Sequence, residues 1–313
     1  MSILRKSKIV YSLYNLFQRK KLERNEELYR RIGLKKHYSS AVSSRDFERI
    51  DPDVLAPSKE VQAAIKIKKD GLPVDIQEQI KDWSENGFAI LPSFYSEETA
   101  EKINDEVDHL LDTGKVKWRY GNKIMFAIHQ SKMLTELGSN SQLLDVLSVL
   151  TGQPVSLFQS INFKAGSQQR THSDAIHMTT FPFGNMIAIW VALEDMTLEN
   201  GALHYYPGSH KLPYVMNSDF DNIGSKFWLG PKDYSDYEEK IQEVLVNNPM
   251  QKKVFTAKKG DVLIWHANLL HGGEKVIDPK STRKSVVYHY FADNSVAFHE
   301  ITERAGLRLI QKH

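Results

Sequence analysis

The sequence predicts a mainly β protein with packed helices, in which a helical N-terminal layer lies on a sandwich or barrel of short strands. Three observations carry that expectation. Apolar residues recur at helical spacing up to about residue 152. From Val155 onward, short runs rich in β-branched and aromatic residues replace them, with turn residues between. Helices first and spaced strands afterwards favour a helical layer against an all-β body.

The earliest segment is the most basic. Up to Lys36, eleven Lys and Arg face only Glu23, Glu26 and Glu27, which leaves this stretch near +8 and the rest of the chain near −6. Ile9, Leu13, Leu16 and Phe17 recur at helical spacing within it, so residues 3–31 read as one basic amphipathic helix. Such a helix packs on its own domain, pairs subunits or lies on an anionic membrane; nucleic acid is the weakest of its partners. The polar stretch from Lys36 to Pro57 reads as a linker or wrapping arm. Residues 1–57 are therefore expected to be an extension, and 58–313 the main domain.

In that domain Ile76, Ile80 and Trp83 mark a helical face ending at Asn86-Gly87, and Phe88 to Leu91 form a strand stopped by Pro92. Ser96 caps a helix whose first turn carries Glu97 and Glu98, favourable at the positive end of its dipole, and whose face is Ile103, Val107, Leu110 and Leu111. Leu143, Leu144, Leu147 and Leu150 give one more helix before Gly152. Strands follow at Val155–Phe163, Met186–Leu193, Ala202–Tyr206, Val262–Trp265 and Val286–Phe291, interrupted by an acidic insertion or lid at about 217–249.

No apolar run approaches 18 residues, and the N-terminus lacks the apolar core and cleavage site of a signal peptide. The chain has no cysteine, which excludes disulfides, zinc fingers and thiolate chemistry and leaves His, Asp and Glu as its good metal ligands. A reducing, cytoplasmic setting fits, with peripheral membrane contact through residues 1–36.

The chemistry is carried by Thr171-His172-Ser173-Asp174 and Leu270-His271-Gly272-Gly273. Residues i and i+2 of an extended segment share a face, so His172 and Asp174 can grip one ion from one side. A histidine from a distant strand, His271, completes two imidazoles and a carboxylate, a set that leaves three octahedral positions open and suits ferrous iron with O2 and a bidentate keto acid. Arg283, twelve residues after His271, offers a planar fork for a carboxylate.

Residues 74–293 resemble the phytanoyl-CoA dioxygenase family of iron/2-oxoglutarate oxygenases, which includes ectoine hydroxylase. The resemblance runs through Glu85 to Phe94, Asn200-Gly201-Ala202-Leu203 to Pro207-Gly208-Ser209-His210, and Gly260-Asp261 through His271 to Arg283-Lys284-Ser285. It implies a double-stranded β-helix, or jelly roll, with Fe(II) held by His172, Asp174 and His271 and 2-oxoglutarate held by Arg283. Trp190, Gln159 and Asn162 match further co-substrate positions. Gly273 stands where the family often has serine, and Ser285 is the nearby hydroxyl that can compensate. Asp174 stands where related halogenases carry a small residue, which favours hydroxylation of a small-molecule or lipid-linked substrate, with succinate and CO2 released. Two other readings keep the same ligands: a jelly-roll binding protein without turnover, and a non-oxidative cupin-like enzyme with no use for Arg283. The substrate wall is expected from Ala175 to Asn185 with Phe227 and Trp228. His210 and His266 read as structural, His177 and His204 as structural or cavity-facing, and His129 and His289 carry no signal.

Overall fold

The structure, a computed structural model, describes residues 6–307. Its strands are β1 (Phe88–Leu91), β2 (Trp118–Arg119), β3 (Lys123–Met125), β4 (Val155–Phe163), β5 (Thr179–Phe181), β6 (Met186–Ala192), β7 (Leu203–Tyr205), β8 (Lys253–Phe255), β9 (Val262–His266), β10 (His271–Gly273), β11 (Ser285–Ala292), β12 (Val296–His299) and β13 (Arg304–Ala305). The main sheet runs β1-β9-β6-β11-β4-β3-β2, and a facing three-stranded sheet runs β10-β7-β8. A third sheet, β13-β12-β5, closes one end. All pairings are antiparallel. The result is a double-stranded β-helix with a helical layer on one side.

Period-two alternation explains the two faces of the main sheet. Ile187, Ile189 and Val191 of β6, Ile264 of β9 and Val286, Tyr288 and Tyr290 of β11 point to the helices. Ala188, Trp190, Leu263, Trp265 and Val287 point the other way, toward Leu203, Tyr205 and Phe255 of the small sheet. Every residue of β6 is buried, as a strand covered on both faces requires.

The helices are α1 (Lys8–Leu16), α2 (Arg19–Arg31), α3 (Lys59–Gly71), α4 (Val74–Ile80), α5 (Trp83–Asn86), α6 (Glu97–Asp112), α7 (Lys132–Gly138), α8 (Ser141–Thr151) and α9 (Tyr234–Asn247). Ser96 caps α6 as the sequence predicts, its hydroxyl accepting from the Thr99 amide at 3.1 Å. Ile103, Val107 and Leu110 of α6 and Leu143, Val146 and Leu147 of α8 cover the sheet. Each such buried Leu or Ile contributes about 1.5–3 kcal/mol. Gly260, at φ +90°, lets the chain enter β9, since a Cβ there would stand 2.1 Å from the Tyr95 carbonyl oxygen.

Three expectations need correction. The basic segment is two helices, not one, and the break at Phe17-Gln18 has a reason; residues 3–5 of that expectation lie outside the described residues. Leu22 follows Ile9 by thirteen residues, about 220° around a helix, so one straight rod could not present both to one surface. Leu22, Leu28 and Tyr29 of α2 are buried with Phe47, Phe181, Val296 and Phe298, whereas the apolar side of α1 faces outward. Of the linker or wrapping arm expected at 36–57, only the linker is to be dropped, because Val42, Phe47 and Leu55 are buried in that same cluster. The helical run beginning at Val74 is split into α4 and α5, while α3 and α7 are additional helices without a sequence signal strong enough to place them.

Candidate functional site

The backbone brings the two motifs together first. His172 and His271 form an isolated antiparallel bridge in which each amide donates to the other's carbonyl at 2.9 Å. Ser173 is extended, at φ −113° and ψ 151°, and Asp174 opens a short 3-10 turn. Alternation through Ser173 therefore returns Asp174 to the side of His172. Gly272 permits the bridge to close, since a Cβ there would stand 2.8 Å from both the Gln169 carbonyl oxygen and the His204 ring.

One ligand atom from each of His172, Asp174 and His271 lies within 4.8 Å of the other two, and all three residues are buried. Each imidazole is oriented by its Nδ1–H, which donates to the Arg170 carbonyl from His172 (2.8 Å) and to the Leu269 carbonyl from His271 (2.9 Å). This fixes the tautomer that puts a lone pair on both Nε2 atoms; that of His172 accepts from Gln169 Nε2 at 3.1 Å. Both Nε2 atoms stand 3.8 Å from Asp174 Oδ1. The other carboxylate oxygen, Oδ2, accepts from the Trp265 indole Nε1–H at 2.8 Å and has His289 Nε2 3.7 Å away. Oδ1 is thus the oxygen aimed at the shared point. Burial and the neighbouring His271 hold the His172 imidazole well below its usual pKa. Burial works against the Asp174 charge, but His271, His289 and His172 outweigh it and keep the carboxyl far below its usual range. For His172 and Asp174, a neutral imidazole beside an ionised carboxylate is what a metal requires. The donor set, its converging geometry and its prepared protonation all fit a ferrous ion.

The triad opens into a cavity of about 650 Å³. Arg283 lines it, only 2% exposed, with its guanidinium 5.6 Å from the Phe163 ring and 5.7 Å from Trp190. Burial brings the Arg283 pKa down to about 10, and its Nε has no hydrogen-bond partner among the described residues. A buried, unpaired guanidinium facing a cavity is costly unless an anion meets it, so the cradle fits a dicarboxylate.

The other predicted contacts divide. Gln159 and Trp190 line the cavity. Asn162 does not: its neighbours across the sheet are Ile124 and Val286, whose side chains pack in the helical layer. Gln159 and Asn162 are three apart on one strand, and period two sends them to opposite faces. Ser285 shares the cavity-side parity of Val287 but is fully buried behind it, its hydroxyl unpaired. Ser167 is better placed to supply the missing hydroxyl. A Cβ on Gly273 would stand 2.6 Å from Ser167 Oγ, so the loop puts a hydroxyl where a serine at 273 would project, and Ser167 lines the cavity.

Phe227 and Trp228 are absent from the cavity wall, as are all residues from Ala175 to Asn185 except His177 and Met178. The insertion contributes through α9 instead. Tyr237 is buried and its hydroxyl oxygen accepts from the Ser173 amide at 3.0 Å, while Tyr234 faces the cavity. His266 and His210 are structural as expected: the His266 ring accepts from the Asn268 amide, and His210 Nε2 lies 3.2 Å from the Ser84 carbonyl oxygen. His204 lies between Thr171 (2.9 Å) and Glu274 (2.8 Å) and does not line the cavity.

Several cavity residues carry no motif. Lys123 Nζ donates to Gln169 Oε1 (2.9 Å), and Gln169 Nε2 in turn reaches the Tyr234 hydroxyl (3.0 Å) and His172 Nε2 (3.1 Å). Burial lowers the Lys123 pKa. His177 and His299 meet at 3.3 Å beside the Tyr234 ring. His289 was missed at the level of sequence, although two-residue steps on β11 from Ser285 through Val287 could have placed it on the cavity face.

Comparison with known proteins identifies the family. The chain is 28% identical over 183 residues to a phytanoyl-CoA dioxygenase domain-containing protein 1 homolog of Dictyostelium discoideum, covering 56% of this chain and 62% of that protein. It is 31% identical over 166 residues to the ectoine dioxygenase of Sphingopyxis alaskensis, covering 50% and 53%. The chain thus spans about half to three-fifths of the length of these relatives. Among solved structures, the α-ketoglutarate-dependent carbocyclase SnoK of nogalamycin biosynthesis shares the fold at a TM-score of 0.56 and 18% identity, covering 73% of this chain and 87% of that one. Residues 83–285 match the phytanoyl-CoA dioxygenase (PhyH) family as a whole, and the chain belongs to that family.

Proposed function

We propose that this protein is an Fe(II)- and 2-oxoglutarate-dependent dioxygenase that hydroxylates an unactivated carbon of a small-molecule or lipid-linked substrate, releasing succinate and CO2. One observation carries the reading: two imidazole Nε2 atoms and one carboxylate oxygen converge at a cavity that also holds the buried Arg283, whose Nε has no hydrogen-bond partner among the described residues. His172, Asp174 and His271 would hold the metal on one side and leave its other positions to the cavity. Bound iron would supply the activation of O2, coupled to decarboxylation of the keto acid and oxidation of the substrate carbon.

The chain's own residues do the placing. Arg283 receives the distal carboxylate as a bidentate fork, with Phe163 and Trp190 walling it from water. Lys123, the second cation of the cavity, faces the keto-acid end together with Gln169. Trp265 holds Asp174 so that one oxygen serves the metal and the other is occupied. The outer cavity, with Tyr120, Met125, Met178, Tyr234, His177 and His299, takes the substrate. Its mix of sulfur, aromatic rings and imidazoles suits an apolar body carrying a few hydrogen-bonding groups. The Asp174 carboxylate occupies the place a halide would need, which supports oxygen rather than halogen transfer.

Anaerobic addition of ferrous iron and 2-oxoglutarate is expected to raise a weak visible charge-transfer band. Admission of O2 should then give succinate, in slow turnover without substrate and faster with the right one. A silent spectrum together with no succinate would remove the reading. Succinate production undiminished in Arg283→Ala would remove the assignment of the co-substrate arginine.

A further inference from the structure

We infer that the outer face of α1 and the adjoining loop 223–228 form a docking surface for a membrane that carries anionic phospholipids. The inference stands apart from the oxygenase reading and rests on an inverted helix. A surface helix ordinarily turns its apolar stripe inward. In α1 the two buried residues are Lys8 and Asn15, and the apolar residues point out. Lys8 pairs with Glu303 at 2.6 Å, and Asn15 Nδ2 donates to the Ser39 carbonyl at 3.2 Å, so the polar side is held firmly against the domain. Ile9 is 50% exposed, Leu13 54% and Phe17 87%.

The neighbouring loop enlarges this face. The Lys8 amide donates to the Phe227 carbonyl and the Leu229 amide to the Lys6 carbonyl, both at 2.9 Å. These bonds bring the half-exposed Phe227 and Trp228 beside α1. Ile9, Leu13, Leu16 and Phe227 then line one groove, in which Lys36 and Arg45 are paired with Asp46 and Glu303 and Lys226 is exposed at the edge.

Charge selects the occupant. No acidic residue occurs before Glu23, and Arg19, Lys20 and Lys226 are exposed around the apolar patch. An apolar centre with a basic rim fits acyl chains below phosphate headgroups. A second copy fits poorly, because a two-fold contact sets each basic rim against its own image. Nucleic acid would leave the apolar centre unused. The same loop runs on to Tyr234 at the cavity wall, so docking would bring the substrate chamber close to the lipid surface.

The test uses the full chain with vesicles of phosphatidylcholine alone or mixed with phosphatidylglycerol. Co-sedimentation with the anionic vesicles only, weakening as salt rises, is expected. Trp228 emission should shift to the blue, identified by its loss in Trp228→Phe. The double variant Leu13→Glu/Phe17→Glu, at exposed positions, should lose at least tenfold in binding, and Lys20→Glu/Lys226→Glu should lose several-fold. An intact chain that ignores both vesicle types overturns the proposal, as does a Leu13→Glu/Phe17→Glu variant that binds undiminished. A concentration-dependent dimer abolished by that variant, without vesicle binding, overturns it in favour of self-association. None of these measurements requires turnover, so the outcome is separate from that of the oxygenase reading.

Discussion

Replacing Trp265 by phenylalanine keeps most of a buried aromatic ring and removes one donor, the Nε1–H that meets Asp174 Oδ2 at 2.8 Å. A buried hydrogen bond to an ionised acceptor is worth about 1.5–3 kcal/mol. Not all of that reaches the metal, because the bond also exists without it and its loss destabilises the metal-free fold as well. The share that matters is orientation. Without the indole the carboxylate can rotate between its oxygens, and binding must freeze it again with only His289, 3.7 Å away, on the far side. Loss of such an outer partner lowers metal affinity about 10–100-fold, or roughly 1.4–2.7 kcal/mol. Anaerobic calorimetric titration with ferrous iron gives this number directly. The Trp265→Phe protein should show weakened iron binding, and at saturating iron its half-saturation for 2-oxoglutarate should stay near the parent value. Iron affinity within twofold of the parent, in a variant whose melting temperature shows it folded, would refute the claim that Trp265 aims Asp174.

Arg283→Lys keeps a cation and loses the fork. Truncating one member of a buried hydrogen-bonded charge pair costs about 2–5 kcal/mol, so the concentration of 2-oxoglutarate giving half-maximal succinate release should rise at least about 30-fold, with iron affinity unchanged. The pH dependence follows from three partly buried imidazoles outside the triad. Burial lowers His177 to about 3 and His266 and His299 to about 4, below their ordinary value. An unfolded chain takes these protons near pH 6.5 and the folded one does not, so stability is full above about pH 7 and falls as pH drops toward 4. Each histidine removes roughly 2 kcal/mol between pH 7 and pH 5. The three together remove about 6 kcal/mol, a large share of a typical domain's stability. Melting temperatures of the metal-free protein should fall steeply over this range, and a flat profile would contradict the neutral state assigned to the three rings.

The triad was legible in the sequence because each part is set by a local rule. Two residues apart on extended chain means one face, and a second histidine flanked by glycines marks a close backbone approach. The glycine at 272 is the point at which a side chain would strike Gln169 and His204. Arg283 was legible through its distance from His271 and its place before a strongly β-forming run. The order of helices and strands was legible for the same reason, since periodicity is local. Residues without a local rule stayed hidden. Lys123 lies on a three-residue strand, too short for alternation to show. Tyr234 begins a helix in an insertion whose packing is decided by Ile176 and Leu270, far away in sequence. The hydroxyl from Ser167 could not be foreseen at all, because it depends on the loop at Ser167 crossing β10 at Gly273.

The N-terminal segment shows where amphipathic patterning loses its meaning. Spacing says that a helix has an apolar side; it does not say which way that side faces. In α2 the answer is inward, because Leu22, Leu28 and Tyr29 complete a cluster that β5 and β12 leave open. In α1 the answer is outward, because Glu303, buried at 4% exposure, takes Lys8 as its partner and thereby fixes the polar side against the domain. A buried carboxylate without its lysine would carry a penalty of several kcal/mol, more than one exposed leucine recovers on burial. The ion pair therefore sets the rotation of α1, and the exposed apolar face is its consequence. Lys8→Met should release that constraint, letting α1 roll its leucines inward and reducing the exposed apolar surface that anionic vesicles would meet.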